Sequence, residues 1–156
     1  RPLTNHLIIG IFNQPLDSWN VGQVSDMRNI FGSASAFDGM FLKIKAFNQP
    51  LDSWNVGKVN RMDKMFYSAH AFNQPLDNWN VGKVSKMGGM FNGATVFNQY
   101  LGTWASKTPA DVNTFKMFLF SGCTNNGTPI QNVGPWCQTA KQAPSEVPSQ
   151  GPSEGP

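Results

Sequence analysis

Asp17, Asp52 and Asp77 occupy the same place in three copies of one decamer, FNQPLDSWNV at 12–21, FNQPLDSWNV at 47–56 and FNQPLDNWNV at 72–81. If the copies stack at the strand spacing of about 4.8 Å, neighbouring carboxylates come close and need compensation. Each can accept backbone hydrogen bonds in an Asx-turn, or the column can recruit a hard cation such as calcium. Cys123 and Cys137, the only cysteines, lie in SGCTNNGTPIQNVGPWCQ beyond the last repeat. Oxidised, they would close a short loop and stabilise it by about 3 kcal/mol; two thiols in a reducing compartment are the alternative. A zinc site needs more ligands than these two and the distant His6 and His70 can offer. Lys58 and Lys83 fall in phase, with Arg61, Lys64 and Lys86 on the outward face that follows. Such a stripe either meets an anionic glycan or protein or is an ordinary solvated face.

Catalytic chemistry has little to stand on. No Gly-rich phosphate loop or metal motif occurs. His70 sits in YSAHAF, where the other repeats carry Ser35 and Thr95, so it reads as a loop residue without the fixed partner a general base requires. One reacting centre needs one nucleophile or one acid and base, whereas a motif written three times builds something by stacking. The expectation is a protein with no enzyme activity and no cofactor. Only 13% of the 156 residues are charged and the net charge is +3, too mild a bias to argue for nucleic acid. No run of 18 or more apolar residues is present to span a membrane.

The elements that position these residues follow from the period. Phe12, Phe37, Phe47, Phe72 and Phe97 are separated by 25, 10, 25 and 25 residues. The short interval is a half-repeat written twice, IFGSASAFDG at 30–39 and MFLKIKAFNQ at 40–49. Leu16, Trp19 and Val21 end in an alternation suited to a short strand. Val59, Met62, Met65, Phe66 and Ala69, with the matching set Val84, Met87, Met90, Phe91 and Ala94, recur three apart and predict one stripe of a two-turn helix. Ser25, Asn60 and Ser85 read as its N-caps, and Gly22, Gly57 and Gly82 as turn residues with unusual backbone angles. Asn13, Asn48, Asn73 and Asn98 would form an amide ladder between turns, and Trp19, Trp54, Trp79 and Trp104 a column of indoles. A 25-residue unit cannot close a core alone, so its neighbours must supply pairing and burial.

FNQPLDSWNV followed by VxxMxxMFxxAxxF resembles the BspA-like leucine-rich-repeat surface proteins over roughly residues 12–122. The resemblance implies an α/β chain, a leucine-rich-repeat-like right-handed solenoid of short parallel strands and short helices, secreted or displayed at a surface, that adheres to or recognises other macromolecules. The organisation expected is a repeat solenoid over 1–122, a C-terminal cap over 123–142 with its disulfide, and an extended Pro/Ser-rich tail over 143–156. The fourth repeat degenerates to FNQYLGTWAS and SKTPADVNTFKMF, as a terminal capping unit would. The N-terminal edge shows no such cap, so either residues precede it or a partner covers it.

Two functions fit these expectations. The first is a non-catalytic surface adhesion or protein recognition module, outside the cell or at its surface. The second is an accessory structural subunit packed in a larger, membrane-associated assembly in an oxidising organelle lumen. Partners would be a protein or glycan at a surface, or neighbouring subunits. Binding is expected where the repeat breaks, at 38–45, with Met40, Phe41, Leu42, Lys43 and Lys45 beside Lys58 and Lys83.

Overall fold

Apolar residues three apart in this chain mark the two ends of β-turns. In a computed structural model that describes residues 15, 16, 18–32, 47–134, 136 and 137, Trp54 N–H donates to Leu51 C=O, Val59 to Val56, Met65 to Met62, Ala69 to Phe66 and Phe72 to Ala69, at 2.9–3.2 Å. Every one of these residues is buried. The third residue of several turns has positive φ, as type II geometry requires: 54° at Lys64 and 57° at Ser68, then 62° at Gly89 and 76° at Gly93 in the following repeat. Asn29, Lys116 and Phe120 hold the same conformation in the outer repeats.

The N–H groups that these turns leave over reach the next repeat. Met62, Lys64, Phe66 and Ser68 donate to the carbonyls of Lys86, Gly88, Met90 and Asn92; Met87, Gly89, Phe91 and Gly93 donate in turn to Asn113, Phe115, Met117 and Leu119. Within Lys64–Ala69, therefore, successive backbone donors alternate between neighbouring repeat and own turn, which pairs them without regular secondary structure. Single parallel bridges join Asp26 to Arg61, Arg61 to Lys86 and Lys86 to Asn113.

The same register stacks the core. Phe31, Phe66, Phe91 and Phe118 form one column with ring centroids 5.4–5.7 Å apart, and Phe47, Phe72 and Phe97 a second at 5.8–5.9 Å. The columns touch at 4.2, 4.0 and 3.9 Å. The indoles of Trp54, Trp79 and Trp104 each donate to the leucine carbonyl of the preceding repeat, at Leu16, Leu51 and Leu76. Trp19 stacks on Trp54 and Trp79 on Trp104, both at 6.4 Å.

This overturns the expected fold class. Among the described residues the regular structure is one helix, α1 at Trp104–Lys107, and isolated bridges; these residues are mostly coil, and neither a sheet nor a strand-and-helix solenoid forms among them. The apolar stripe predicts a helix because i and i+3 meet on a helix face, but they also meet across a β-turn. Positive φ at Lys64 and Ser68 interrupts the right-handed path that consecutive i→i+4 bonds demand. Ser25, Asn60 and Ser85 consequently cap nothing. Their backbones continue the ladder, Asn60 N–H donating to Ser25 C=O, Ser85 to Asn60 and Asn113 to Ser85. Gly22, Gly57 and Gly82 have no positive φ; a Cβ at each would instead come within 3.3–3.4 Å of the Oδ1 of Asn20, Asn55 or Asn80, which accepts that glycine's N–H.

Candidate functional site

The amide ladder is the most regular side-chain feature. Asn48 Oδ1 accepts the N–H of Asn73 and Asn73 Oδ1 that of Asn98, both at 2.9 Å. Gln74 and Gln99 donate their Nε2 to both oxygens of Asn48 and Asn73, respectively, at 2.8–3.1 Å. These amides are held by structure and leave few donors for a ligand.

The aspartate column is not uniform. Asp77 Oδ1 accepts the hydroxyl of Thr103 at 2.7 Å and its N–H at 3.3 Å, so the next repeat compensates this carboxylate. Asp52 is exposed, and Asp17 lies outside the described residues. No group of three or more His, Cys, Asp or Glu able to hold a metal is found among the described residues.

Cys123 and Cys137 are disulfide-bonded, with Cα atoms 4.7 Å apart. Cys137 also bridges Tyr100 and Asn125, so the bond fastens the segment after the last repeat to the chain before it. Lys58 Nζ donates to Gln23 Oε1 of the preceding repeat at 2.6 Å, and Lys83 is exposed. Met40, Phe41, Leu42, Lys43 and Lys45 lie outside the described residues.

Above the bridge ladder the outward side chains alternate in sign. Asp26 and Arg28 pair at 2.7 Å and Arg61 with Asp63 at 3.0 Å. The Arg28 side chain and N–H both donate to Asp26, which holds its carboxyl below the usual range. In the third repeat this pattern lapses, because Gly88 and Gly89 follow Lys86. The missing side chains leave a groove of about 310 Å³, walled by Asp63, Lys64 and Tyr67 on one side and by Asn113, Phe115 and Lys116 on the other. Lys64 Nζ lies 5.8 Å from the Tyr67 ring centre and Lys116 Nζ 5.0 Å from that of Phe115. Sequence reasoning placed Lys64 on the basic stripe and missed the groove; the signal was the pair of glycines where the other repeats carry Arg28–Asn29 and Asp63–Lys64.

No helix among the described residues is long and apolar enough to cross a membrane. No curated protein and no solved structure matches the chain. A family model does, over residues 9–39 and again over 36–133. The two matches meet where the half-repeat is written twice, and together they cover most of the chain. The chain therefore belongs to the family described as Mycoplasma protein of unknown function, DUF285.

Proposed function

We propose that the chain is a non-catalytic adhesion or recognition module displayed at a surface. The supporting observation is the register: equivalent outward positions such as Asp26, Arg61, Lys86 and Asn113 stand one repeat apart on a backbone ladder that hydrogen-bonds from repeat to repeat. A partner can read such a row with several residues at once, and each position is free to vary because the ladder beneath it is held by main-chain groups. The disulfide belongs with an oxidising exterior, and the resemblance to surface repeat proteins points the same way. The contact surface combines the break at 38–45 with Lys58 and Lys83.

Beads coated with the purified chain provide the test, presented to immobilised extracellular-matrix proteins and to a glycan array. Adhesion above that of beads carrying the urea-denatured chain is expected. It should weaken at least tenfold when residues 38–47 are deleted, which restores the 25-residue register, or when Lys58→Glu and Lys83→Glu are combined. No adhesion of the folded chain would overturn the recognition role. Undiminished adhesion by both variants, their melting temperatures unchanged, would refute this contact surface.

A further inference from the structure

We propose that the groove above Gly88 and Gly89 binds a carboxylated pyranose, a sugar ring bearing both hydroxyls and a carboxylate. This rests on the recognition role above and names its ligand class at one place. The groove is one repeat wide: Gly88 lies in the ladder between Asp63 and Phe115, so its flanking side chains stand about 9.6 Å apart at the backbone, twice the inter-strand spacing. Its volume of about 310 Å³ suits one monosaccharide rather than an extended chain.

The floor offers a free donor. In the first and fourth repeats the equivalent N–H groups, of Arg28 and Phe115, turn outward and are accepted by Asp26 Oδ1 and Asn113 Oδ1, both at 3.0 Å. Lys86 replaces that acceptor in the third repeat, and the Gly88 N–H meets no acceptor among the described residues. One wall offers a free acceptor. Asp63 Oδ2 takes the Arg61 guanidinium, at 3.1 Å from Nε, while Oδ1 meets no donor among the described residues and lies 3.7 Å from where a Gly88 Cβ would stand.

Charge decides the class. Asp63 is balanced by Arg61, so Lys64 and Lys116, bracketing the groove from its two sides, leave it net positive. A carboxylate suits these ammonium groups and the Gly88 N–H. A phosphate dianion would be set against Asp63 Oδ1, whereas a sugar hydroxyl donates to it. An added peptide strand is disfavoured because the neighbouring backbone donors are taken, Lys64 N–H by Gly88 C=O and Gly89 N–H by Phe115 C=O.

The test is amide-resolved NMR titration of the intact chain with galacturonic acid, N-acetylneuraminic acid, the methyl ester of galacturonic acid, galactose and inorganic phosphate. Both acids should shift the Gly88 amide and the side-chain amide of Asn92, which also lines the groove, with saturating, millimolar affinity; the ester, galactose and phosphate should bind at least tenfold more weakly. Lys64→Ala with Lys116→Ala should lose acid binding at least tenfold. Gly88→Leu should abolish it with an unchanged melting temperature, because a Cβ there meets only ordinary contacts. Acids that leave Gly88 unmoved, or shifts equal for acid and ester, overturn the proposal. Bead adhesion that persists in Gly88→Leu leaves the recognition role standing without this site; sugar binding without bead adhesion has the reverse meaning.

Discussion

The repeats between Phe47 and Phe97 and the segment from Asn98 to Cys137 solve the same problem differently. In the middle, Leu51, Val59, Met62, Phe66, Phe72, Val84 and Phe91 are fully buried, and the backbone pairs with repeats on both sides. Toward the end the repeat loosens, and Phe115, Phe120, Ile130 and Val133 stand 61–79% exposed. What replaces the missing neighbour is a set of single fastenings. The disulfide joins Cys123 to Cys137, and Trp136 meets Trp104 edge-on at 6.5 Å. Thr114 donates its hydroxyl to Pro129 C=O, Gln131 Nε2 donates to Thr108 C=O, and Asn132 N–H to Ala105 C=O at the helix α1. Stacking gives the middle its stability by repetition, whereas the end depends on a few specific bonds.

The largest expected effect falls on the middle. Phe91 touches Phe66, Phe97 and Phe118, so Phe91→Ala opens a cavity between two ring columns and should cost about 3–5 kcal/mol in urea unfolding. Phe115→Ala, at a position before the disulfide loop that begins at Cys123, removes an exposed ring and should stay within about 0.5 kcal/mol. Equal losses at the two sites would erase the contrast between repeat and end.

A smaller effect is expected at the end. Replacing Cys123 and Cys137 together by serine removes a cross-link over 14 residues and should cost about 3 kcal/mol. Hydrogen exchange should localise the loss, with amides of 98–137 exchanging early while Phe66, Ser68, Phe91 and Gly93 keep their protection. Simultaneous loss in both regions would mean that the end clamps the whole chain.

How far the sequence could be read follows the same division. The 25-residue register was legible because identical residues recur, and burial of Met62, Met65, Phe66 and Ala69 followed from their apolar character. Their local conformation was not legible. A spacing of three is common to a helix face and to the ends of β-turns, and the residues that break the tie, Lys64 and Ser68 at positive φ, carry side chains that do not announce it. The disulfide was readable from two cysteines in one irregular segment. The groove was not, because it is made by side chains absent at Gly88 and Gly89, and its walls come from residues about 25 positions away on either side.

The third position of the turn tests the comparison most finely. Asn29, Lys64, Gly89 and Lys116 share it, with φ of 55°, 54°, 62° and 55°, yet only the third repeat fills it with the residue that suits this angle. An L-residue in the left-handed region costs roughly 1–2 kcal/mol, part of which glycine returns through the greater freedom of its unfolded chain. Lys116→Gly should therefore stabilise the chain by about 0.5–1 kcal/mol, and Gly89→Ala should destabilise it by at least as much. Lys116 lies on the outermost repeat, where its N–H meets no acceptor among the described residues, while Gly89 N–H is held by Phe115 C=O at 2.9 Å. If the turn at the end is as firmly fixed as the turn in the middle, urea midpoints of the two variants shift by similar amounts in opposite directions. A clear shift for Gly89→Ala with none for Lys116→Gly would show that the terminal turn relaxes to another conformation at little cost, and that rigidity in this chain is conferred by having a repeat on both sides.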